Sequence, residues 1–512
     1  MNPITELNDQ AKENFTVLTS AWKPLALSLA LALALGMAGC ASVPPDQHIY
    51  PQQDMARVQL AADIRLASEG WPDKQWWTRY NDAQLNSLIA QALAGSPTLE
   101  IAAARIDSAR AALEFNGADK GASVDFVAQE NRQRYSGNGL FPAPIGGNYF
   151  TESAVQIQAR YDFDWWDKHR AQIASALGEV NARRADYAEA EQTLAAAVAQ
   201  SYFSLQGGWA RLANLRQTTA AQQGLVRDKS KRIAAGIATI DQQRMAEGEL
   251  SSLNRQAAQL EAQIAAEREA LRALVAGDGN ALAGLKPQAV PDIPHALPAQ
   301  MGLELLARRP DLQAARWRVE ASLNRVEAAQ AAFYPDINLS GSVGLDSLSL
   351  GNLLNSASRT LFIGPTLTLP LFDSRRLEAR LGSVRSERNE LIADYNQSVL
   401  NAVRDVAQQA VGVRGMENQI RQQDEVIRAG RDLLKTAHAK FRQGLAERST
   451  VLNAELALSR QEDASLQLKY QQLLAEVSLA RALGGGYRVD TVNATGTTST
   501  AITGAALTQT TK

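Results

Sequence analysis

The sequence predicts a mainly α-helical, internally duplicated chain that also carries four short β-strands suited to a membrane. Three observations predict it. Landmarks recur 208 positions apart: Ala185-Asp186-Tyr187 returns as Ala393-Asp394-Tyr395, Gly207 as Gly415, Gly236 as Gly444 and Glu247 as Glu455. Long tracts rich in Ala, Gln, Arg, Glu and Leu are almost free of proline, the composition of long helices. Two segments in each copy switch from helical spacing to strict alternation, the period of a half-buried strand. The charge is nearly balanced, 52 basic against 54 acidic residues in 512, so nothing advertises nucleic-acid binding.

In chain order, residues 1–39 read as a signal peptide: Lys23, a short apolar run from Leu25 to Gly39, and small residues at its end. The run is about 15 residues, shorter than the roughly 20 that a spanning helix needs. Cys40 is the only cysteine, and the four histidines are scattered, so neither a disulfide nor a metal cluster is expected. Met37-Ala38-Gly39-Cys40 resembles the bacterial lipobox, which implies a covalent lipid on Cys40 and no other cofactor; an ordinary signal peptide with an incidental cysteine is the alternative. By the same resemblance Ala41 favours delivery to the outer membrane. Residues 40–85 then read as a lipidated N-terminal linker.

The first repeat spans 86–277, with a hairpin at about 121–166 and long helices at about 167–277. Residues 278–308 are a linker or equatorial segment. The second repeat spans 309–486, with a hairpin at about 334–372 and long helices at about 373–486, and 487–512 read as a disordered tail. Each repeat opens on a proline-started helix, at Pro97 and Pro310, where the missing N–H is not needed. In the hairpin of the first repeat, Val155, Ile157, Ala159, Tyr161, Phe163 and Trp165 alternate with Gln156, Gln158, Arg160, Asp162 and Asp164. One face is apolar and the other charged, and the aromatic residues Tyr161, Phe163, Trp165 and Trp166 gather at one end as an interfacial girdle does. Gln156, Gln158, Arg160 and Asp162 are the expected lumen-facing set. Val124, Phe126 and Ala128 form its partner; Ile337 to Leu345 and Leu361 to Leu371 repeat the plan. A four-stranded sheet in lipid has two unpaired edges, each unmade hydrogen bond costing several kcal/mol, so the chain must close with other chains.

The long helices carry a narrow coiled-coil stripe, Leu194, Val198, Leu205, Trp209 and Leu212 in one copy against Ala402, Val406, Val413 and Ile420 in the other. A helix from about Lys168 to Ala235 is roughly 100 Å long at 1.5 Å per residue. The recurring glycines at 207 and 415 suggest a bend or a close approach.

With these features the chain resembles the TolC-like outer membrane factors, in particular the lipoprotein efflux subunits of the NodT and OprM type. WWTRYNDAQLNSLIAQAL, with Ala83 where the family usually has proline, and LPLFDSRRLEARL carry the local likeness. The resemblance implies a homotrimer in which twelve strands close one transmembrane β-barrel and a long α-helical coiled-coil tunnel continues it. It implies an outer membrane channel of a tripartite efflux system exporting small molecules, in contact with outer membrane lipids, a periplasmic adaptor (membrane fusion) protein and an inner-membrane pump of RND or major-facilitator type. A conduit for type I protein secretion is the alternative. Gly236-Ile237 and Gly444-Leu445 match the family's periplasmic tips and adaptor contacts. The family's gate usually has an aspartate nine residues after the second tip glycine; Asn453 stands there, with Ser449 and Thr450 as its companions. Asp241, Glu447, Arg448 and Glu455 complete the gate candidates. No nucleotide-binding loop, nucleophile elbow or HExxH motif is present, so no enzyme is expected.

Overall fold

The computed structural model describes residues 42–54, 74–291, 308–370 and 373–487. Cys40, the expected signal peptide and the expected tail after Tyr487 lie outside the described residues. The chain divides into two compact units. Of the described residues, one holds those before Asp54 and within Ala103–Arg184 and Ala314–Gln397; the other holds those within Asp54–Ala102 and Ala185–Gln313 and those after Gln397.

The element order is α1 (Ala83–Gly95), α2 (Pro97–Ala118), β1 (Ala122–Arg134), β2 (Tyr149–Asp162), α3 (Lys168–Ala234), α4 (Ile240–Leu274), α5 (Pro310–Ala331), β3 (Asp336–Ser347), β4 (Arg359–Thr368), α6 (Ser374–Arg442) and α7 (Arg448–Ala482). The duplication holds at the level of single residues. Helices α2 and α5 have 22 residues each and both start at proline, while α4 and α7 have 35 each and start 208 positions apart. The long pair, α3 and α6, have 67 and 69 residues. Among the described residues no helix is long and apolar enough to cross a membrane.

In the first unit the four strands form one antiparallel sheet in the order β1-β2-β3-β4. Strand β2 ends at Asp162, sooner than the alternation suggests. The reason is Asp164, whose carboxylate accepts from the backbone N–H of His169 and Arg170 at 2.9 Å each and so caps the start of α3. In the same unit Val326, Phe333, Leu377, Leu381 and Val384, from α5, the residues just after it and α6, form a small buried cluster.

The second unit holds the larger core. Trp76, Trp77 and Tyr80, in a 3-10 turn ahead of α1, are buried there with Leu85 and Ile89 of α1, the middle of α3, Leu271 of α4, and Tyr470, Leu473 and Val477 of α7. Asp82 caps α1, accepting from the N–H of Gln84 and Leu85 at 2.9 and 3.1 Å, and also from the Tyr202 hydroxyl on α3. Residues 76–85 are therefore part of the core rather than of a linker, because three aromatic rings bury too much apolar surface to be left in water. Leu282 is buried in the same core, with Leu285 and Val290 packed on it, so the early part of 278–308 belongs to this body as well.

The narrow stripe is found in one copy only. On α6, Val399, Ala402, Val406, Ala410 and Val413 are buried at helical spacing. On α3, Ala195, Ala196, Val198, Ala199, Tyr202, Phe203, Leu205 and Gln206 are all buried, so that stretch is covered on nearly every side. The glycines differ in the same way. A Cβ on Gly207 meets the Tyr470 ring at 2.8 Å and one on Gly208 meets Ile264 at 2.7 Å, whereas Gly415 has nothing within 4 Å. Close approach explains the first glycine and not its copy.

Candidate functional site

The sheet registers the apolar positions of all four strands on one face. Phe126, Ile157, Val343 and Leu361 stand on one rung, and Val124, Ala159, Gly341 and Ile363 on the next apolar one. The opposite face pairs Asp125, Gln158 and Ser342, then Ser123, Arg160 and Ser340, then Asp162, Asn338 and Thr366. All four sequence-derived polar positions of β2 thus share that second face. Arg160 and Asp162 form an ion pair at 2.9 Å, and the Gln158 amide lies 3.4 Å from Gln156 Oε1. Phe362 interrupts the polar face opposite Ser342, half exposed; the sequence reading did not anticipate it.

Aromatic residues mark both ends of β2. At one end Tyr161 packs on Phe163 with centroids 5.0 Å apart, and Trp166 stacks on Tyr334 at 4.7 Å while its indole N–H donates to Pro335 O at 2.8 Å. At the other end Tyr149 stands exposed on the apolar face, while Tyr135 packs on Phe141 and Phe150 at 5.4 and 5.8 Å on the polar side, aromatic residues missed in the sequence because they lie in and beside the hairpin loop. On the apolar face Tyr149 to Tyr161 spans about 40 Å of strand at 3.3 Å per residue. Tilted by about 40°, that is roughly 30 Å, the thickness of a bilayer's hydrocarbon core. Among the described residues, strands β1 and β4 each leave one edge without a strand partner.

The second candidate site is the pair of helix turns. Gly236 and Gly444 both have φ +71°, the left-handed region that glycine enters without strain. In each turn the following N–H reaches back five residues, Ile237 to Arg232 O at 2.9 Å and Leu445 to Lys440 O at 2.8 Å, closing the helix with a Schellman bond. Ile237 and Leu445 are left strongly exposed at the two turns.

The gate candidates separate. Glu447 is not a free carboxylate: Arg232, in the last turn of α3, pairs with it, and the Ser449 hydroxyl donates to it at 3.0 Å. These hydrogen bonds, Arg232 foremost, hold the Glu447 carboxyl below its ordinary range and raise the Arg232 guanidinium. Ser449 is buried, and Glu455 lies half-buried 3.7 Å from His438, an ion pair whenever that imidazole is protonated. Asp241, Arg448, Thr450 and Asn453 are exposed. Thr450 and Asn453 share an open face of α7 that carries a hydroxyl and an amide but no carboxylate. Arg232 was missed in the sequence, although a basic residue four positions before a tip glycine suits the negative end of a helix. Other pairs join elements within this unit: Arg211 to Asp463 at 3.0 Å, Arg216 to Glu261 at 3.0 Å and Arg460 to Glu249.

The family model described as outer membrane efflux protein matches residues 88–277 and 303–485. The chain belongs to that family. It is 37% identical over 464 residues to the multidrug resistance outer membrane protein MdtP of Escherichia coli K12, a match covering 89% of this chain and 95% of that one. It is 35% identical over 463 residues to MdtQ of Escherichia coli O157:H7, covering 89% of this chain and 96% of that relative. Among solved structures, the outer-membrane channel OprN has a TM-score of 0.78 at 25% identity, covering 87% of this chain and 99% of that chain. VceC of Vibrio cholerae has 0.74 at 29% identity, covering 82% and 100%. This efflux protein is therefore an outer membrane channel with a helical part and a four-stranded contribution to a barrel, as the sequence resemblance implied.

Proposed function

We propose that this outer membrane efflux protein works as a homotrimer whose twelve strands close one barrel, exporting small molecules as the outer component of a tripartite system. The observation that carries the assembly is the amphipathic four-stranded sheet with its two open edges. A strand of about ten residues leaves some five N–H and C=O groups facing outward, and in lipid each unpaired one costs several kcal/mol. Pairing β1 of one protomer with β4 of the next removes every edge. Leu400, Val411, Val426 and Leu433, exposed along α6, offer apolar surface for the same neighbours. The multidrug resistance names of the MdtP and MdtQ relatives favour small molecules over a protein cargo.

The apolar face meets lipid and the face of Gln156, Gln158, Arg160 and Asp162 meets water. Lipid on Cys40 adds an anchor. The exposed tip residues Ile237 and Leu445 dock a periplasmic adaptor, which links the channel to an inner-membrane pump of RND or major-facilitator type. The test compares Ala159→Arg with Gln158→Arg, adjacent positions on opposite faces. Arginine on the lipid side costs about 2–4 kcal/mol at mid-membrane, so Ala159→Arg loses heat-resistant trimer while Gln158→Arg keeps it and changes conductance in planar bilayers. Equal yields of trimer from both variants overturn the facing.

A further inference from the structure

Residues 42–54, the first described part of the chain, have no regular secondary structure, and they are held against one face of α6 by an orderly set of bonds. Asn396 grips the backbone twice, its Oδ1 accepting from Gln53 N–H at 2.7 Å and its Nδ2 donating to Pro51 O at 2.9 Å. Two helical turns earlier Asn389 repeats the grip, donating to His48 O at 2.6 Å and facing Tyr50 N–H at 3.5 Å. Arg385 donates to Pro44 O at 2.7 Å and Pro45 O at 3.2 Å. Arg388, whose side chain is only 2% exposed, pairs with Asp46, and that bond holds the Asp46 carboxyl below its ordinary value against the opposing effect of burial. Val43 packs on the cluster of Phe333 and Leu377.

The spacing has a physical logic. Seven helical residues advance about 10.5 Å, and three residues of extended, proline-rich chain advance about 9 Å. Two asparagines seven apart on α6 therefore meet successive carbonyl and amide groups of the strap, at 48/50 and at 51/53, without strain in either element. Toward the strap the asparagines bond only backbone, so they hold whatever residues pass. Asp46, paired with the buried Arg388 and 3.4 Å from Arg385, supplies the side-chain match, and it sets the register, because sliding the strap by one residue takes the carboxylate away from a buried guanidinium. Strap and helix run in the same direction, so the amino end of the strap lies toward the start of α6, beside Phe333 and next in sequence to the aromatic residue Tyr334.

We propose that Arg385, Arg388, Asn389 and Asn396 form a docking track on α6 for the chain's own strap, residues 42–54. The track joins the amino end to the folded body by a fixed rather than a free tether. The inference rests in part on the lipid reading of Cys40: from Val43 to Cys40 is at most about 10 Å of chain. A lipid there stays within that reach of Val43 and anchors the body directly.

Hydrogen exchange on the full-length trimer in detergent tests the track, with the acylation state of the amino-terminal peptide read by mass spectrometry from the same sample. In wild-type protein the Gln53 amide exchanges at least about tenfold more slowly than in an unstructured peptide, and Tyr50, with its longer bond, is slowed less. Asn396→Ala releases Gln53 first and Asn389→Ala releases Tyr50 first, while the amides of β2 and β3 stay protected in both. General unfolding cannot produce that residue-by-residue pattern. A Gln53 amide exchanging at the unstructured rate in wild-type trimer, or one still protected in Asn396→Ala, overturns the track. Protection without an acyl group on Cys40 leaves the track standing and removes the lipid reading; an acyl group without protection does the reverse.

Discussion

The two repeats were built on one plan, and their long helices show how far a plan can diverge in packing. In the second copy α6 buries a single stripe through Val399, Ala402, Val406, Ala410 and Val413. In the first, α3 is enclosed between Ala195 and Gln206 because Trp76, Trp77, Tyr80 and α1 cover it from one side and α4, α7 and the segment around Leu282 from others. One covering helix, α4, is the first-copy equivalent of α7, whereas the aromatic turn of Trp76, Trp77 and Tyr80 has no copy among the described residues. Duplication thus copied the periodicity that makes a helix amphipathic, while the neighbours decided how much of its surface is buried.

The strongest test removes the cover. Trp76 is 2% exposed and donates its indole N–H to Gln192 Oε1 at 3.0 Å. Trp76→Ala costs about 3–5 kcal/mol, read from denaturant unfolding of the trimer at fixed protomer concentration. A loss below about 1 kcal/mol means that the first repeat holds without its cap and the contrast between the copies fails.

The glycines sharpen the same contrast with smaller numbers. Gly207→Ala drives a methyl group into the Tyr470 ring and costs about 1–3 kcal/mol. Gly415→Ala meets open space in the protomer and gains about 0.5–1 kcal/mol from helix propensity. Equal losses in the two variants place a neighbour against Gly415 in the trimer and make the copies alike there.

The third comparison is one of charge at equivalent positions. Where the first copy has Arg268, which donates to Leu282 O at 3.3 Å, the second has Glu476, pushed up to about 7 by burial, with Arg79 opposing the shift and Glu417 reinforcing it. The folded-state value lies above the unfolded one near 4.5, so the folded chain binds the extra proton between those values. Stability therefore falls as pH rises from about 4.5 to 7 and levels off above. Glu476→Gln flattens that slope by about 1–3 kcal/mol across the window, measured as the pH dependence of the unfolding midpoint. An unchanged slope excludes Glu476 as its source.

The smallest effect concerns conductance alone. Asn453 and Met245 occupy equivalent, exposed positions in α7 and α4. A symmetric trimer triples any charge placed at a narrow bore, and a ring of carboxylates concentrates cations there. Wild-type conductance is expected to vary weakly with pH near neutrality. Asn453→Asp introduces block by multivalent cations in planar bilayers, and Met245→Asp does so only if the first copy also lines the bore. Strong block in wild-type protein, removed by replacing Glu455, shifts the charge along α7 instead.

Much of this chain is legible in its sequence. Local periodicity and turn chemistry fixed the strand faces, the proline starts at Pro97 and Pro310 and the left-handed glycines at 236 and 444, because these features depend on residues within a turn or two of one another. The polar face of Gln156 to Asp162 followed from alternation alone, and the neighbouring strands merely continued it. Tertiary structure decided what depends on distant partners. Glu447 became half of a pair because Arg232, 215 positions earlier, lies at the neighbouring tip. Gly207 and Gly415 diverged because Tyr470 packs on one, while no described residue of the protomer lies within 4 Å of a Cβ on the other. The segment from Trp76 to Leu85 turned from linker into core, and the strap found its asparagines more than 300 residues away. Burial and pairing are properties of the surfaces that meet, and no local pattern in a chain states which surfaces those are.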